Sequence, residues 1–331
     1  MAVSRKPIII PIALLAALAA GWSAYWHVGS RITAQGVANW MEREAEHGRK
    51  WTCRDQKIGG YPFRFELRCA AVSVDGSQAR QPFFAEAGEL RAVALAYRFN
   101  HIIAELDGPA AITAPNGEQF AATWDKLRTS TIVRGGRVDA YDSAVSNLRI
   151  DRLDGGGQTP VLTATEIETH LRATPGAAEP MLDLVVDGKS LASTQLDQML
   201  GGEGAGDLAL RATLTRADAI GPGAPIDNLE RWRAAGGKAT IAQFKVNRGT
   251  VALDVTGELS IDEERKLAGR IEGTAAGLEQ LLGRGGGILG GLISWRTRND
   301  TQPRALPVAL TLKDGRVMMG PVRLVNLAPL Y

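Results

Sequence analysis

The chain opens on an unbroken apolar block and then passes into short alternating segments. Residues 8–28 (IIIPIALLAALAAGWSAYWHV) run for 21 positions without a Lys, Arg, Asp or Glu. As a helix at ~1.5 Å per residue, this run spans about 31 Å, one bilayer core. Trp22, Tyr25 and Trp26 stand at its far end, where amphipathic rings favour the headgroup layer, and are read as membrane-interface anchors. Residues 29–50 form a polar helical connector with an incomplete apolar stripe at Ile32, Val37, Trp40 and Met41.

From Trp51 the period changes to two. Val93, Leu95, Tyr97 and Phe99 alternate, as do Leu182, Leu184 and Val186, then Leu208, Leu210, Ala212 and Leu214, then Val251, Leu253 and Val255. Asp107-Gly108 and Asn116-Gly117 predict hairpin turns, as does Asp314-Gly315, and Asp187-Gly188 closes its strand. The spacing predicts roughly 14–18 short strands. Helices are expected over 226–235, between Pro225 and Gly236-Gly237, and more briefly over 193–200 and 277–282. The expected fold is mainly β: an antiparallel meander, curled or sandwich-like, with a few short helices, preceded by one N-terminal transmembrane helix. The domains are then a cytoplasmic tail (1–7), an anchor (8–28), the connector (29–50) and a mostly β domain (51–331), with a subdivision open near 201–225.

Charge sets the orientation. Arg5 and Lys6 precede the apolar block, which keeps the N-terminus in the cytoplasm and exports everything after residue 28. The expected location is the inner membrane, single-pass, with the C-terminal domain periplasmic. A cleavable signal peptide is the alternative, with Ala17-Leu18-Ala19 as its cleavage site. The length of the apolar run favours the anchor. Lys plus Arg is 38 against 36 Asp plus Glu, a formal +2 with no basic cluster, which argues against a nucleic-acid partner.

The two cysteines are Cys53 and Cys69. Between them Gly60, Tyr61 and Pro62 mark a turn, and folding there brings position 53 opposite position 69. Directly opposed antiparallel residues have α-carbons ~4.5–5.5 Å apart, within disulfide range, and an oxidising compartment lets the bond persist.

The search for chemistry is negative. His27, His47, His101 and His170 are scattered, no spacing matches a metal site, and no nucleophile or phosphate-loop motif occurs. Asp183 and Asp187 share a strand face, and Asp262-Glu263-Glu264 lies between two strands, but solvent exposure accounts for both. No catalytic, cofactor or metal residue is expected. The apolar stretch 288–295 is too short to span a membrane and reads as core.

Several features together resemble an uncharacterised alphaproteobacterial envelope family, domain of unknown function 2125. They are the anchor with Gly21-Trp22-Ser23-Ala24-Tyr25-Trp26, Cys53, the run from Gly59 to Phe65 (GGYPFRF), Cys69, and the closing segment from Gly320-Pro321 to Tyr331. The family carries no assigned activity, so the resemblance supplies no catalytic residue. A fainter likeness, in residues 257–271 and at 314–317, is to AsmA-type envelope proteins, which implies lipid carriage in an apolar groove. The leading expectation is therefore a non-catalytic envelope protein that binds or transfers lipid or another apolar ligand. Val251, Leu253 and Val255 are the candidate groove residues. A filled sandwich core explains the same alternation equally well. The alternative function is a tethered scaffold for other envelope proteins, with an enzyme third.

Overall fold

The computed structural model describes residues 6–194, 197, 204–221, 225–277 and 305–331. The short helices expected over 193–200 and 277–282, the apolar stretch 288–295 and the glycine-rich segments near 201–225 fall wholly or partly outside those residues. The chain divides between Glu118 and Gln119 into two compact units.

Unit 1 begins with one continuous helix, α1 (Lys6–Glu46). The apolar block and the polar connector are thus a single element, with no break where the hydropathy changes. Eight strands follow: β1 (Lys50–Arg54), β2 (Lys57–Gly59), β3 (Arg64–Cys69), β4 (Ala71–Asp75), β5 (Phe84–Ala87), β6 (Leu90–Leu95), β7 (Arg98–Leu106) and β8 (Ala110–Thr113). All pairings are antiparallel, in the ribbons β2-β3-β6-β7 and β1-β4-β5-β8. The chain turns at Asp107-Gly108 and at Asn116-Gly117, but neither turn makes the expected hairpin around β8. The ladder partner of β8 is β5.

The disulfide between Cys53 and Cys69 is present, with α-carbons 5.1 Å apart. The register around it differs from the expected one. Gly60, Tyr61 and Pro62 do turn the chain, but Lys57 faces Arg68 and Cys53 faces Val72, not Cys69. The cause is a break in both strands of the hairpin. Asp55 takes a left-handed backbone (φ 51°) between β1 and β2, and Ala70 separates β3 from β4. The disulfide bridges the two ribbons at that bend. The described hydrophobic cluster of unit 1 lies beside the turn and joins Trp26, Phe65 and Ala96, with Trp22 packed against it.

Unit 2 is a meander of longer strands: β9 (Gln119–Thr123), β10 (Lys126–Arg134), β11 (Arg137–Asp154), β12 (Gly157–Ala173), β13 (Leu182–Ser193), β14 (Gly206–Leu214), β15 (Lys238–Arg248), β16 (Val251–Ile261), β17 (Leu267–Ala276), β18 (Leu306–Lys313), β19 (Arg316–Met319) and β20 (Val322–Asn326). β9 and β10 share one side of β11, and from β11 to β20 each strand pairs antiparallel with the next. Gly135-Gly136 makes the β10–β11 turn and Asp314-Gly315 the β18–β19 turn, both with positive φ. Asp187-Gly188 is no turn: β13 runs through it, and the space a Gly188 side chain would fill is taken by Leu191. The helix expected over 226–235 is α2 (Pro225–Ala234). Its buried Trp232 donates from Nε1 to the Thr215 carbonyl at 2.7 Å and covers Gly237.

Candidate functional site: an apolar sheet face and an aromatic collar

The register of unit 2 collects its alternating residues into rows. Leu171, Leu184, Ala212, Ile241, Gly257, Ile271 and Leu310 stand opposite one another from β12 to β18. The next row reads Thr169, Val186, Leu210, Phe244, Val255, Gly273 and Val308, and a third reads Ile167, Gly188, Leu208, Val246, Leu253, Ala275 and Leu306. Successive residues of a strand point to opposite faces, so these rows make one continuous apolar face. Seven strands at ~4.8 Å spacing make it roughly 29 Å wide. A shift in register between Ile241 and Phe244 of β15 keeps both strand halves in phase with it.

The opposite face is polar and internally neutralised. Arg211 reaches Asp187 at 2.9 and 3.0 Å, and the Thr213 hydroxyl donates to Asp183 at 2.9 Å. Asp142 takes His170 Nδ1 at 2.7 Å and Arg172 at 3.0 Å. Lys238 meets Glu258 at 2.9 Å. Both aspartates singled out in the sequence are thus engaged by neighbours on this face. Asp262 likewise accepts the Lys266 amide at 2.8 Å and closes the β16–β17 turn. Among the described residues no His, Cys, Asp and Glu group is placed to hold a metal.

Burial along the apolar face is uneven. Val251 and Val255 are 6% and 2% exposed, so they are packed in rather than lining open space, and only Leu253 of the three expected groove residues is half-buried. Half-buried side chains run across the whole face, from Ile167 and Leu171 through Leu184, Val186, Leu208, Leu210, Phe244 and Val246 to Ile271 and Leu310, broken by the buried Gly188, Ala212, Val255 and Ala275. Sequence periodicity identified Leu184, Val186, Leu208 and Leu210 as alternating, but not Phe244 and Val246. It did not show that strands so far apart in the chain place them in shared rows. A cavity of about 430 Å³ sits at the strand ends, lined by Arg137, Glu179, Pro180, Arg216 and Asp218. Arg216 pairs with Asp218 at 3.2 Å, and this guanidinium holds the Asp218 carboxyl below its usual range. That cavity is polar and separate in character from the apolar rows.

In unit 1 the rings read as interface anchors make a collar with the turn at Tyr61. Trp22 Nε1 donates to the Pro62 carbonyl at 2.8 Å, Tyr25 Oη to the Ala96 carbonyl at 2.6 Å, and Trp26 Nε1 to the Arg64 carbonyl at 2.8 Å. Ser23 and Tyr61 share a hydroxyl contact at 2.8 Å. Trp26 is 7% exposed, edge-on to Tyr61 and stacked near Phe65. The Trp26 indole is thus enclosed by protein, its donor taken by a carbonyl and one face covered by Phe65, so among the three expected interface anchors it is the one with little surface left to offer the headgroups. Tyr25 keeps 45% exposure and Trp22 is half-buried. Further along α1, Trp40 packs on Trp51 with ring centroids 5.2 Å apart.

The family model described as an uncharacterized protein conserved in bacteria (DUF2125) matches residues 26–328. The chain belongs to this family. No curated protein and no solved structure matches the chain. The likeness to AsmA-type proteins finds no counterpart in these comparisons. The match begins at Trp26, inside the collar, and takes in both units.

Proposed function

We propose that this family member is a single-pass inner-membrane protein whose periplasmic part holds the acyl portion of a lipid against the apolar face of unit 2, with no catalysis of its own. The observation that carries the reading is the half-buried apolar ground at Leu184, Val186, Leu208, Leu210 and Phe244 within a face seven strands wide. An apolar stripe of that width suits an extended hydrocarbon tail better than a compact polar solute. A tail burying about twelve methylenes there would gain roughly 10 kcal/mol, before the cost of ordering it. The anchor rests on α1, whose Ile9–Glu46 portion is long and apolar enough to cross a membrane. Arg5 and Lys6 ahead of it favour the cytoplasmic side for the N-terminus.

The test is native mass spectrometry of the full chain gently extracted in detergent, beside Leu210→Asp. Lipid retained by the parent, and lost from a variant that keeps its far-ultraviolet dichroism, is the expected result. If Leu210 belongs to a closed core, the buried carboxylate costs several kcal/mol and the variant unfolds. That outcome, or a lipid-free parent, refutes the reading.

A second reading has its own observation. Among the described residues β20 pairs only with β19, and Val322, Leu324 and Val325 on it are 38%, 38% and 52% exposed. Such an edge can accept a strand from another envelope protein, as a scaffold would.

A further inference from the structure

We infer that the tip of unit 1 formed by Tyr61, Phe63, Tyr97 and Phe99 is a membrane-docking surface that lies in the outer headgroup layer of the bilayer crossed by α1. The inference rests on the membrane-crossing reading of α1 and goes beyond it. Tyr61 and Phe63 belong to the turn between β2 and β3, and Tyr97 and Phe99 to the turn between β6 and β7 with the first residues of β7. The Ala96 amide donates to the Phe63 carbonyl at 2.9 Å, so the two turns lie side by side. Their four rings are 55%, 64%, 71% and 70% exposed. Four large rings left uncovered on adjoining turns form the kind of apolar patch that marks an interaction site.

The occupant follows from where the patch is fixed. The hydrogen bonds from Trp22, Tyr25 and Trp26 pin these turns against the far end of the apolar run 8–28. Ile9, Ile10, Ile12, Leu14, Leu15 and Leu18 are each about 60–70% exposed just before that level. Residues 8–21 supply only about 21 Å of free helix at ~1.5 Å per residue, against a hydrocarbon core of ~30 Å. A collar held clear of the lipid would leave the anchor short by several ångströms. Sinking the tip to ring depth removes that mismatch without tilting or thinning the bilayer. The chemistry agrees, since Tyr and Phe on the tip are flanked by the exposed cations Arg64 and Arg98, which suit the phosphate level.

The experiment places nitroxide labels one at a time on the full chain in nanodiscs of phosphatidylethanolamine and phosphatidylglycerol. Cys53 and Cys69 are joined, so an introduced cysteine is the labelling site. Labels go at Leu15→Cys in the apolar helix, at Phe63→Cys and Phe99→Cys on the tip, and at Gln81→Cys. Gln81 is exposed in the loop whose Gln78 meets Gly48 at the other end of α1. The measured quantity is the ratio of collisions with oxygen to collisions with a water-soluble nickel chelate. Docking predicts ratios at 63 and 99 that lie between those at 15 and 81 and stand several-fold above that at 81. Water-like ratios at 63 and 99 with a lipid-like ratio at 15 overturn the docking surface and leave the anchor standing. A water-like ratio at 15 overturns both.

Discussion

Cys69 is 1% exposed while Cys53 is half-buried, so the two ends of the disulfide differ in what a substitution leaves behind. The bond closes a separation of 16 residues, and in the chain-entropy picture its loss costs about 3 kcal/mol. Cys53→Ser is expected to lower stability by about that much in urea unfolding of the oxidised protein. Cys69→Ser should cost more, because its hydroxyl is buried, and the double variant should match Cys69→Ser. The pairing was legible from two cysteines on either side of the turn signal at Gly60-Tyr61-Pro62. The register was not, since the breaks at Asp55 and Ala70 have no glycine or proline to announce them. A second residue-scale feature was invisible in sequence. Glu230 on α2 accepts Tyr331 Oη at 2.7 Å, Arg233 at 2.8 Å and Arg265 at 3.2 Å. Hydrogen bonds from Arg233 first, and from Tyr331 next, pull its carboxyl from 4.5 down to about 2. A depressed carboxyl stabilises the folded state fully above its unfolded value, and the contribution fades as the pH falls from about 4.5 toward about 2. The Leu330 amide, bonded to the Arg265 carbonyl, should therefore lose hydrogen-exchange protection across that window. In Tyr331→Phe the loss should begin at higher pH.

Strands β16 and β17 show how backbone chemistry holds the rows in register. Gly269 has φ +141°, and a Cβ there would overlap the Glu258 carbonyl oxygen of the facing strand. Gly269→Ala should lower stability by about 1–3 kcal/mol, measured as a reduced urea midpoint. Gly36 is helical with nothing within 4 Å of a Cβ, so Gly36→Ala should raise helix stability by up to ~1 kcal/mol. Element type was readable from period and punctuation: the alternating strands of unit 2, the turn at Asp314-Gly315, and α2 between its proline and its glycine pair. Pairing was harder. β8 lies next to two turn signals in sequence, yet its partner is β5, because a local turn signal carries no information about a non-local ladder. Asp187-Gly188 misled for a related reason, since a glycine can serve packing against Leu191 as well as a turn.

At the scale of the whole molecule, the mainly β architecture and the leading apolar helix follow from patterning alone. The division at Glu118 does not, since no composition shift marks it. The candidate site was half legible. Parity named Val251, Leu253 and Val255 as one face, but the two valines are packed in. The half-buried ground shared by Leu208, Leu210 and Phe244 emerges only when β13, β14 and β15 are laid side by side. α1 has one further consequence. It runs without interruption from Lys6 to Glu46 and is fastened by Trp22, Tyr25, Trp26 and the Trp40–Trp51 contact. A flexible linker of similar length would let its cargo roam a volume set by the square root of the residue number. A fastened helix allows no such roaming. With α1 crossing the bilayer as proposed, unit 1 cannot swing out to search for a ligand at a distance, so whatever it meets must be delivered to the membrane surface. The helix works as a mast rather than a leash.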